Sequence, residues 1–401
     1  MEKIFIAGLQ TFMFKGNDTC FIIRTPYDAS KYIDWANRIN SDYGYSVLLQ
    51  DVRGRYGSFG KWVPYDNEKK DSVILLSFIK SQDFSNIVII GSSYEAYCAR
   101  ILAFESQYSI PTKLLIRVGV RNKLEAIFND GVFRLGDFVW WKNVHGTGKT
   151  SKTNVITNQI IKEIETSDPP EKIIDADVIF PKVPVIIIAG WKDGYCKYAF
   201  DDYKKWLHDQ KQLIVTPLTH DLKYIGKYFN EVEWYKDLQI KKGFSKIYFQ
   251  NIKNEVYPNF FLYNDKKYER LIFSDFIGNN ITNSNDASKK FGIFLDNNFV
   301  NLEIKDFQYL NSLNLFYETI EEDIFGEIFY IDKDGKMLFL TEFILKKGTN
   351  STEFPPISIK KVNKSISLKI MFSNNLFPRY PKKEKSVYLQ LKGVLYGGKY
   401  C

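Results

Sequence analysis

The chain has 401 residues, of which 45% are hydrophobic and 25% are charged, and its formal net charge is +8 at pH 7. This composition is ordinary for a soluble globular protein and argues against a mainly disordered chain. Basic residues are spread along the whole chain among acidic ones, which argues against a nucleic-acid-binding face. The longest unbroken apolar stretch, around residues 183–191, is too short to cross a bilayer.

Residues 1–120 alternate between two patterns. Short apolar runs with many β-branched residues predict buried strands of a parallel sheet, and stretches with helical apolar spacing predict helices between them. We predict strands at 20–23, 46–49 and 86–90, and helices at 29–40 and 68–80. The alternation resumes with a strand at 183–189, a helix at 198–208 and a strand at 212–217. This order of elements indicates an α/β domain.

The segment between these two parts is aromatic and then polar, and it contains the Pro169-Pro170 breaker. From about residue 241, short β-forming runs alternate with turn-rich segments, which predicts an all-β sandwich. These runs lie at 246–250, 260–263, 270–273, 291–295, 313–317, 327–331, 337–340, 365–372 and 386–390. We therefore predict an α/β domain at 1–120 and 181–240, an insertion at 121–180 and a β-sandwich at 241–401.

The supply of cysteine and histidine limits the chemistry that the chain can carry. Its four cysteines form no C-x-x-C pair, which gives zinc ribbons and redox motifs no support and favours a cytoplasmic protein with free thiols. The first residues, MEKIFIAGLQ, do not have the form of a signal peptide. A metal site with several histidines would use most of the three present. The GTGKT run at 146–150 resembles the end of a phosphate-binding loop, but it lacks the preceding strand and the first glycine of that motif. We predict no metal and no cofactor.

Residues 87–96, IVIIGSSYEA, place Ser93 on a tight turn between an apolar strand and a helical pattern. This is the pattern of the nucleophile elbow of α/β hydrolases, in which small flanking residues let the turn close while the hydroxyl projects from the sheet. Gly91 fits the first small position, but Glu95 occupies the second. Such a serine needs a base, and the base needs an orienting acid.

Two later strands end in residues that can supply these groups. Asp193 follows the strand in VPVIIIAGWKD, and His220 follows the strand in LIVTPLTH. The order serine, acid, histidine is that of α/β hydrolases, and the carboxyl ends of parallel strands are where such sheets carry their sites. Ser93, Asp193 and His220 are therefore the candidate catalytic residues. We expect His208 at the surface and His145 in a polar loop of the insertion.

Seven segments of the chain resemble, in order, segments of the X-Pro dipeptidyl-peptidase and cocaine esterase family. They are RTPYD at 24–28, DVRGRYGSFG at 51–60, GSSY at 91–94, GWKD at 190–193, PLTH at 217–220, LTE at 340–342 and SNNLFPR at 373–379. The resemblance implies an α/β-hydrolase domain with a short helical cap as the insertion and a C-terminal jelly roll. These three parts agree with the regions predicted from pattern.

The resemblance also implies roles for individual residues. Ser93 would be the acylated nucleophile, His220 the general base and then acid, and Asp193 the orienting carboxylate. The Tyr27 hydroxyl and the Tyr94 backbone N–H would form the oxyanion hole, in which two donors face the developing negative charge.

Other residues near these motifs are expected to have structural roles. Arg53 and Arg55 in the DVRGR segment should hold loops through ion pairs and hydrogen bonds to carbonyls. Glu95 departs from the family, in which glycines often follow the serine and tyrosine. We expect its carboxylate to point along the helix to solvent.

The family cleaves esters, amides or dipeptides, and charge narrows these options. Its members that act on α-amino acid esters bind the substrate ammonium with acidic residues after the G-W-x-D segment, whereas this chain continues with GYCK at 194–197. Lys192 and Lys197 would repel an ammonium, which favours a neutral or anionic acyl group. Glu95, Glu125 or Asp130 could still supply a counter-charge, so X-Pro dipeptidyl-peptidase activity is the second interpretation.

An aromatic acyl pocket is a further hypothesis, and core packing explains the same side chains equally well. The candidate substrate-binding residues are Trp191, Phe133, Phe138, Trp140 and Trp141. We interpret the chain as a serine acyl hydrolase of a small-molecule ester or amide, with acyl transfer by the same residues as an alternative. A catalytically silent relative that binds a ligand or partner is the alternative of another class. The expected partner is a small-molecule or short-peptide substrate, with no nucleic acid and no membrane, and a homo-oligomer is left open.

Overall fold

The computed structural model describes residues 1–129, 132–133, 141, 144–145, 178–252, 255–257, 269–271, 277–281, 299–305, 307–320, 324–373 and 387–400. The chain divides into two compact units. Unit 1 comprises Met1–Ala126 and Val139–Ser245, and unit 2 comprises Ile127–Phe138 and Lys246–Cys401.

The described elements are numbered in chain order. The strands are β1 (Glu2–Ile6), β2 (Leu9–Phe14), β3 (Thr19–Thr25), β4 (Ser46–Asp51), β5 (Asn86–Ser92), β6 (Thr112–Arg117), β7 (Phe128–Asn129), β8 (Val132–Phe133), β9 (Val185–Lys192), β10 (Lys211–Thr219), β11 (Phe244–Tyr248), β12 (Val256–Tyr257), β13 (Glu269–Leu271), β14 (Ile277–Ile281), β15 (Phe299–Ile304), β16 (Phe307–Tyr317), β17 (Ile324–Ile331), β18 (Met337–Leu345), β19 (Ser351–Glu353), β20 (Ile359–Lys360), β21 (Ile366–Ser373) and β22 (Val387–Tyr400). The helices are α1 (Ile33–Tyr43), α2 (Glu68–Lys80), α3 (Tyr94–Ser106), α4 (Lys123–Ile127), α5 (Cys196–Lys205) and α6 (Glu231–Asp237), with 3₁₀ turns at Ala29–Tyr32 and Ile225–Lys227.

The sheet of unit 1 has the strand order β1-β2-β4-β3-β5-β6-β9-β10. From β4 to β10 every neighbouring pair is parallel, whereas β1 and β2 add an antiparallel edge. The strands β3, β4 and β9 are buried along almost their whole length, because helices cover both faces of a doubly wound sheet. This observation confirms the predicted α/β class.

The strand order reverses beside β3, since the chain passes from β3 to β4 on one side and to β5 on the other. Ligand sites in open parallel sheets lie outside the carboxyl ends of the strands at such a point. The helix that leads from β3 to β4 ends at Gly44, which takes a left-handed φ of 71° and donates its N–H to the Asn40 carbonyl at 2.9 Å. This glycine cap turns the chain back into the sheet.

Among its described residues, unit 2 contains two antiparallel sheets of four or more strands and the short antiparallel pair β7-β8. One has the order β13-β22-β16-β19, with β14 and β20 at its margins, and the other has the order β15-β21-β17-β18. Apolar side chains from β15 to β18 and from β21 form one buried cluster, as the alternation of buried and exposed residues along β15 requires. The predicted all-β C-terminal region is confirmed. Its jelly-roll connectivity, the helical cap at 121–180 and the predicted domain bounds stay predictions.

Several predicted elements agree closely with the observed ones. The helix predicted at 68–80 is α2, and the strand predicted at 86–90 is contained in β5. The helix predicted at 29–40 is a 3₁₀ turn followed by α1. The patterns do not predict β1, β2 or β6, and the runs at 260–263 and 291–295 lie outside the described residues. Within the described ranges, no helix is long and apolar enough to span a membrane.

A buried ion pair joins two helices on one side of the sheet in unit 1. The guanidinium of Arg100 on α3 donates to the Asp202 carboxylate on α5, and the two side chains are 0% and 3% exposed. Arg121 lies 3.6 Å from the other carboxylate oxygen of Asp202. Both charged groups have lost their hydration on burial, and the ion pair between them compensates for that loss. Each group therefore depends on its partner.

We expect the substitution Asp202→Ala to destabilise unit 1 by about 3–5 kcal/mol, because it leaves the Arg100 charge buried without its partner. Urea unfolding followed by tryptophan fluorescence measures the difference. The matched control is Asp209→Ala, which removes an exposed carboxylate that pairs with Lys242 at 2.7 Å. The control should unfold at the wild-type midpoint, and an equal midpoint for Asp202→Ala would contradict the account.

Candidate active site

Four strands of unit 1 carry the predicted site residues just beyond their carboxyl ends. Tyr27 follows β3, Ser93 follows β5, Asp193 follows β9 and His220 follows β10. Because these strands are parallel, their ends lie at the same edge of the sheet. The topology therefore brings together residues that are up to 193 positions apart in the sequence.

Ser93 lies on a sharp turn between β5 and α3. Its φ of 56° and ψ of −124° are in a strained region for a residue with a side chain. The turn is held by its neighbours, since the Ser93 N–H donates to the Arg117 carbonyl at 3.1 Å and the Val120 N–H donates to the Ser93 carbonyl at 3.3 Å. A β-carbon on Gly91 would lie only 2.2 Å from the Glu95 carbonyl oxygen, so only glycine lets the turn close.

His220 is hydrogen-bonded through both ring nitrogens. Its Nε2 lies 3.0 Å from the Ser93 Oγ, and its Nδ1 lies 3.0 Å from the Asp193 Oδ1. The Asp193 side chain is 2% exposed, whereas that of His220 is 43% exposed. A buried carboxylate at Nδ1 favours the tautomer with a proton on that nitrogen, which leaves Nε2 free to accept a proton from the serine.

A second glycine permits this arrangement. A β-carbon on Gly190 would lie 2.4 Å from the carbonyl oxygen of Leu218, so β9 and the end of β10 can approach only without a side chain there. The register between the two strands shifts between Thr216 and Thr219, just before His220. This local irregularity directs the histidine toward the end of β9.

The Tyr27 hydroxyl lies beside Ser93. It is close to the Ser93 side chain and to the backbone N–H of Tyr94, and it accepts a hydrogen bond from the Trp141 indole N–H at 3.5 Å. Burial raises the pKa of Tyr27 to about 12, which these three neighbours only partly offset. The phenol therefore keeps its proton at neutral pH and remains a donor.

The expectation that Glu95 points to solvent is wrong. Glu95 is 3% exposed and lies under the turn that carries Ser93. Its Oε1 accepts hydrogen bonds from the Thr25 hydroxyl at 2.6 Å and the Tyr32 hydroxyl at 2.7 Å, and its Oε2 accepts one from the Ser92 N–H at 3.3 Å. Burial raises the pKa of the Glu95 carboxyl despite these bonds.

The two arginines of the DVRGR segment have the expected structural contacts. Arg53 forms an ion pair with the buried Asp71. Arg55 donates to the Pro26 carbonyl at 3.0 Å and to the His145 carbonyl at 2.9 Å. Arg55 thereby fixes the backbone just before Tyr27.

The predicted substrate-binding residues divide into three groups. Trp141 lies beside the Tyr27 hydroxyl and is half-buried. Trp191 is 4% exposed and packs against Phe200 at a centroid distance of 5.3 Å, as a core residue does. The side chains of Phe133, Phe138 and Trp140 lie outside what the structure describes. The acyl-pocket assignments stay predictions.

An aromatic cluster next to the serine has no counterpart in the sequence-based expectations. It comprises the buried residues Val52, Tyr94 and Cys98, with Tyr27, Trp62, Tyr65 and Trp141 packed against them. The WVPY run at 62–65 could have pointed to it, because it follows the DVRGR segment directly. The cluster forms an apolar wall next to the Ser93 turn.

His145 also belongs to this region, although its polar loop gives no sign of that. Its ring lies 4.7 Å from the Tyr27 ring, centroid to centroid. Burial, together with the positive charges of Arg55 and Lys31, lowers the pKa of His145 to about 4. A neutral imidazole therefore packs against the tyrosine at physiological pH.

No group of histidine, cysteine or acidic side chains suited to hold a metal ion occurs among the residues that the structure describes. The three described cysteines, Cys20, Cys98 and Cys196, are buried and form no disulfide. The convergent polar groups at this edge of the sheet are instead a hydroxyl, an imidazole and a carboxylate. This set is suited to nucleophilic chemistry.

Comparison with known proteins gives a match of part of the chain to one family model and a relative that is similar over a short stretch. Residues 19–168 match the family model described as X-Pro dipeptidyl-peptidase (S15 family). The cocaine esterase of Rhodococcus sp. (strain MB1 Bresler) is 31% identical over 80 residues, which cover 18% of this chain and 14% of the esterase. The match therefore spans about a seventh of that relative.

Solved structures match over nearly the whole length. An aminopeptidase from a marine sediment Thaumarchaeota archaeon has a TM-score of 0.69 at 12% identity and covers 98% of this chain and 95% of its own. A CocE/NonD family hydrolase from Staphylococcus aureus has a TM-score of 0.69 at 13% identity and covers 98% of this chain and 92% of its own. At these identities the likeness establishes the fold.

We expect His145 to remain neutral down to about pH 4, well below the pKa of about 6.5 of a free imidazole. Since the unfolded chain binds this proton at higher pH, the contribution of His145 to stability is present above pH 6.5 and is lost as the pH falls toward 4. NMR of the histidine ring protons, assigned with His145→Gln, measures the titration. A midpoint near 6.5 would show that the ring is not packed as described.

Proposed function

We propose that the chain, whose residues 19–168 match the X-Pro dipeptidyl-peptidase (S15 family) model, is a serine hydrolase that cleaves a small-molecule ester or amide. Ser93, His220 and Asp193 act as the catalytic triad and form a covalent acyl-enzyme. The observation that carries the proposal is the imidazole of His220, which lies 3.0 Å from both the serine hydroxyl and the buried carboxylate.

In the acylation step, the Ser93 Oγ attacks the substrate carbonyl carbon while the His220 Nε2 takes the hydroxyl proton. The tetrahedral intermediate then collapses, the bond to the leaving group breaks, and His220 returns the proton to the departing alkoxide or amine. In the second step His220 takes a proton from water, whose oxygen attacks the acyl carbon. The second tetrahedral intermediate collapses, the bond from the acyl carbon to the Ser93 Oγ breaks, and His220 returns the proton to Oγ as the acid leaves. Asp193 holds the ring in the correct tautomer and stabilises the imidazolium.

The negative oxygen of the intermediate needs donors that are already in place. The Tyr27 hydroxyl and the Tyr94 backbone N–H fill this role, because both lie beside Ser93 in the free protein. Their preorganisation is what accelerates the reaction, since no reorientation is needed when the charge develops. A removed donor of this kind costs about 10²–10³ in kcat.

The charges around the site favour an acyl group without an ammonium. Among the acids considered as counter-charges, Glu95 is held by three donors below the nucleophile, and Glu125 pairs with Arg121. Lys192 is exposed directly before Asp193. A positive substrate group would meet a lysine rather than a free carboxylate, so we propose a neutral or anionic acyl group.

X-Pro dipeptidyl-peptidase activity is the second candidate, and the name of the matching family model favours it. It requires a carboxylate for the substrate amine, and Asp130, which lies outside the described residues, is the remaining candidate. Acyl transfer would use the same acyl-enzyme with another nucleophile in place of water. A catalytically silent relative would keep the fold without reacting at Ser93.

We also propose a cytoplasmic protein whose partner is a small-molecule or short-peptide substrate. The buried, unpaired thiols of Cys20, Cys98 and Cys196 support this location, since reducing compartments keep thiols free. A fractionation of the source cells would test it, and recovery of the protein outside the cytoplasm would contradict it.

A fluorophosphonate probe tests the triad. Wild-type protein should be labelled as the Ser93 Oγ forms a bond to phosphorus and fluoride leaves, and Ser93→Ala should not be labelled. His220→Ala should lose about 10⁴ or more in the rate of acylation, because the hydroxyl then lacks its base. His208→Ala is the matched control and should react like the wild type, since the polar contacts described for His208 are with Asp209 and Gln210 of its own loop. An unlabelled wild-type protein would favour the silent relative.

A matched pair of substrates tests the preferred acyl group. Para-nitrophenyl butyrate and para-nitrophenyl 2-aminobutyrate share a leaving group and chain length and differ by one ammonium. We expect kcat/KM to be at least about tenfold higher for the neutral ester, since like charges oppose binding of the other. Added salt should reduce the difference by screening. A preference for the amino ester would favour the dipeptidyl-peptidase alternative.

A further inference from the structure

Glu95 is hydrogen-bonded to the two chain segments that carry Tyr27 and Ser93. The elbow position two residues after the nucleophile is usually glycine, which has no side chain. Here the position carries a carboxylate that is 3% exposed, below Ser93 rather than in the solvent. The Glu95 side chain is therefore held in the interior, although the elbow turn itself can form without a side chain at this position.

One oxygen of Glu95 holds the segment that carries Tyr27. The Oε1 atom accepts the Thr25 hydroxyl at 2.6 Å and the Tyr32 hydroxyl at 2.7 Å, so the segment is fastened before and after Tyr27. The Thr25 Oγ1 in turn accepts the backbone N–H of Tyr27 at 2.9 Å. A continuous chain of two hydrogen bonds thus runs from the carboxylate to the backbone of the tyrosine.

The other oxygen holds the nucleophile turn. The Oε2 atom accepts the N–H of Ser92, the residue before the nucleophile, at 3.3 Å. The backbone of Glu95 lies against Gly91 on the same turn. One rigid carboxylate therefore joins the end of β3 to the end of β5.

This arrangement has a cost that a glycine would avoid. A carboxylate in the interior loses its hydration, and burial raises the pKa of Glu95 accordingly. The nearby positive charge of Arg117 and the three donors compensate in part. The Ser92 N–H must donate and both hydroxyls can donate, so the three contacts suit an ionised carboxylate.

We propose that Glu95 is a positioning residue that fixes the hydroxyl of Tyr27 relative to the hydroxyl of Ser93. The inference rests on the proposed function, because the two hydroxyls matter together only if Tyr27 stabilises the oxyanion formed at Ser93. Glu95 touches neither the substrate nor the reacting atoms. It acts through Thr25, Tyr32 and the Ser92 N–H.

The first test is Glu95→Gln, which keeps the size of the side chain but replaces one accepting oxygen by a donor. With para-nitrophenyl butyrate, kcat should fall about 10-fold to 100-fold, because a displacement of catalytic groups by about 1 Å has an effect of that size. KM should change by less than about twofold, since the oxyanion contact forms only in the transition state. Thermal unfolding of the same sample confirms that it is folded at the assay temperature.

The second test separates positioning from general destabilisation. Thr25→Val removes the hydroxyl that links Glu95 to the Tyr27 N–H and leaves the carboxylate unchanged, whereas Thr25→Ser retains the hydroxyl. We expect the valine variant to lose kcat like Glu95→Gln and the serine variant to keep it. Asp202→Asn alters another buried carboxylate of unit 1 that is paired with Arg100, and it should lower the unfolding temperature without changing kcat.

The third test asks whether Glu95 acts through Tyr27. Tyr27→Phe should reduce kcat by about 10²–10³. In that background Glu95→Gln should have little additional effect, since the hydroxyl that it positions is absent. Full additivity of the two effects, or kcat within about twofold of wild type for both Glu95→Gln and Thr25→Val, would overturn the inference. Failure of the proposed function looks different, because the wild type would then neither hydrolyse esters nor react with fluorophosphonate.

Discussion

The hydrogen bonds at the two nitrogens of the His220 ring join the carboxyl ends of three strands. Each bond spans 3.0 Å, and the bonded groups come from β5, β9 and β10. Such short spans require the backbones at the strand ends to pass very close to one another. Gly190 allows β9 to approach the Leu218 carbonyl, and Gly91 allows the serine turn to close. The proposed chemistry therefore depends on two positions where a single methyl group would not fit.

The same edge of the sheet contains both the strained backbone of Ser93 and the buried carboxyl group of Glu95. The backbone of Ser93 is in a region that costs about 1–3 kcal/mol, and this cost is met by the hydrogen bonds and packing of the rigid sheet around it. Glu95 lies directly below and is held by groups from two strands and a 3₁₀ turn. Elements far from the Ser93 hydroxyl thus fix the relative positions of Ser93 and Tyr27.

Features that depend on a local sequence pattern can be predicted from the sequence, whereas those that depend on contacts between distant residues cannot. The apolar periodicity of β5 and α2 predicts both elements, and the ends of the strands predict Ser93, Asp193 and His220 as a set. The direction of Glu95 depends instead on Thr25 and Tyr32, which are 70 and 63 residues away, so a local pattern cannot give it. His145 packs on Tyr27 only through the fold, and its own loop looks merely polar.

Rapid acid quench of the reaction with para-nitrophenyl acetate tests the covalent acyl-enzyme most directly. Trypsin cleavage after Lys80 and Arg100 gives a peptide of residues 81–100 that contains Ser93. The account predicts that mass spectrometry finds one acetyl group on Ser93 in this peptide, formed as para-nitrophenol is released and absent in Ser93→Ala. Release of para-nitrophenol at the wild-type rate with an unmodified Ser93 would contradict the account.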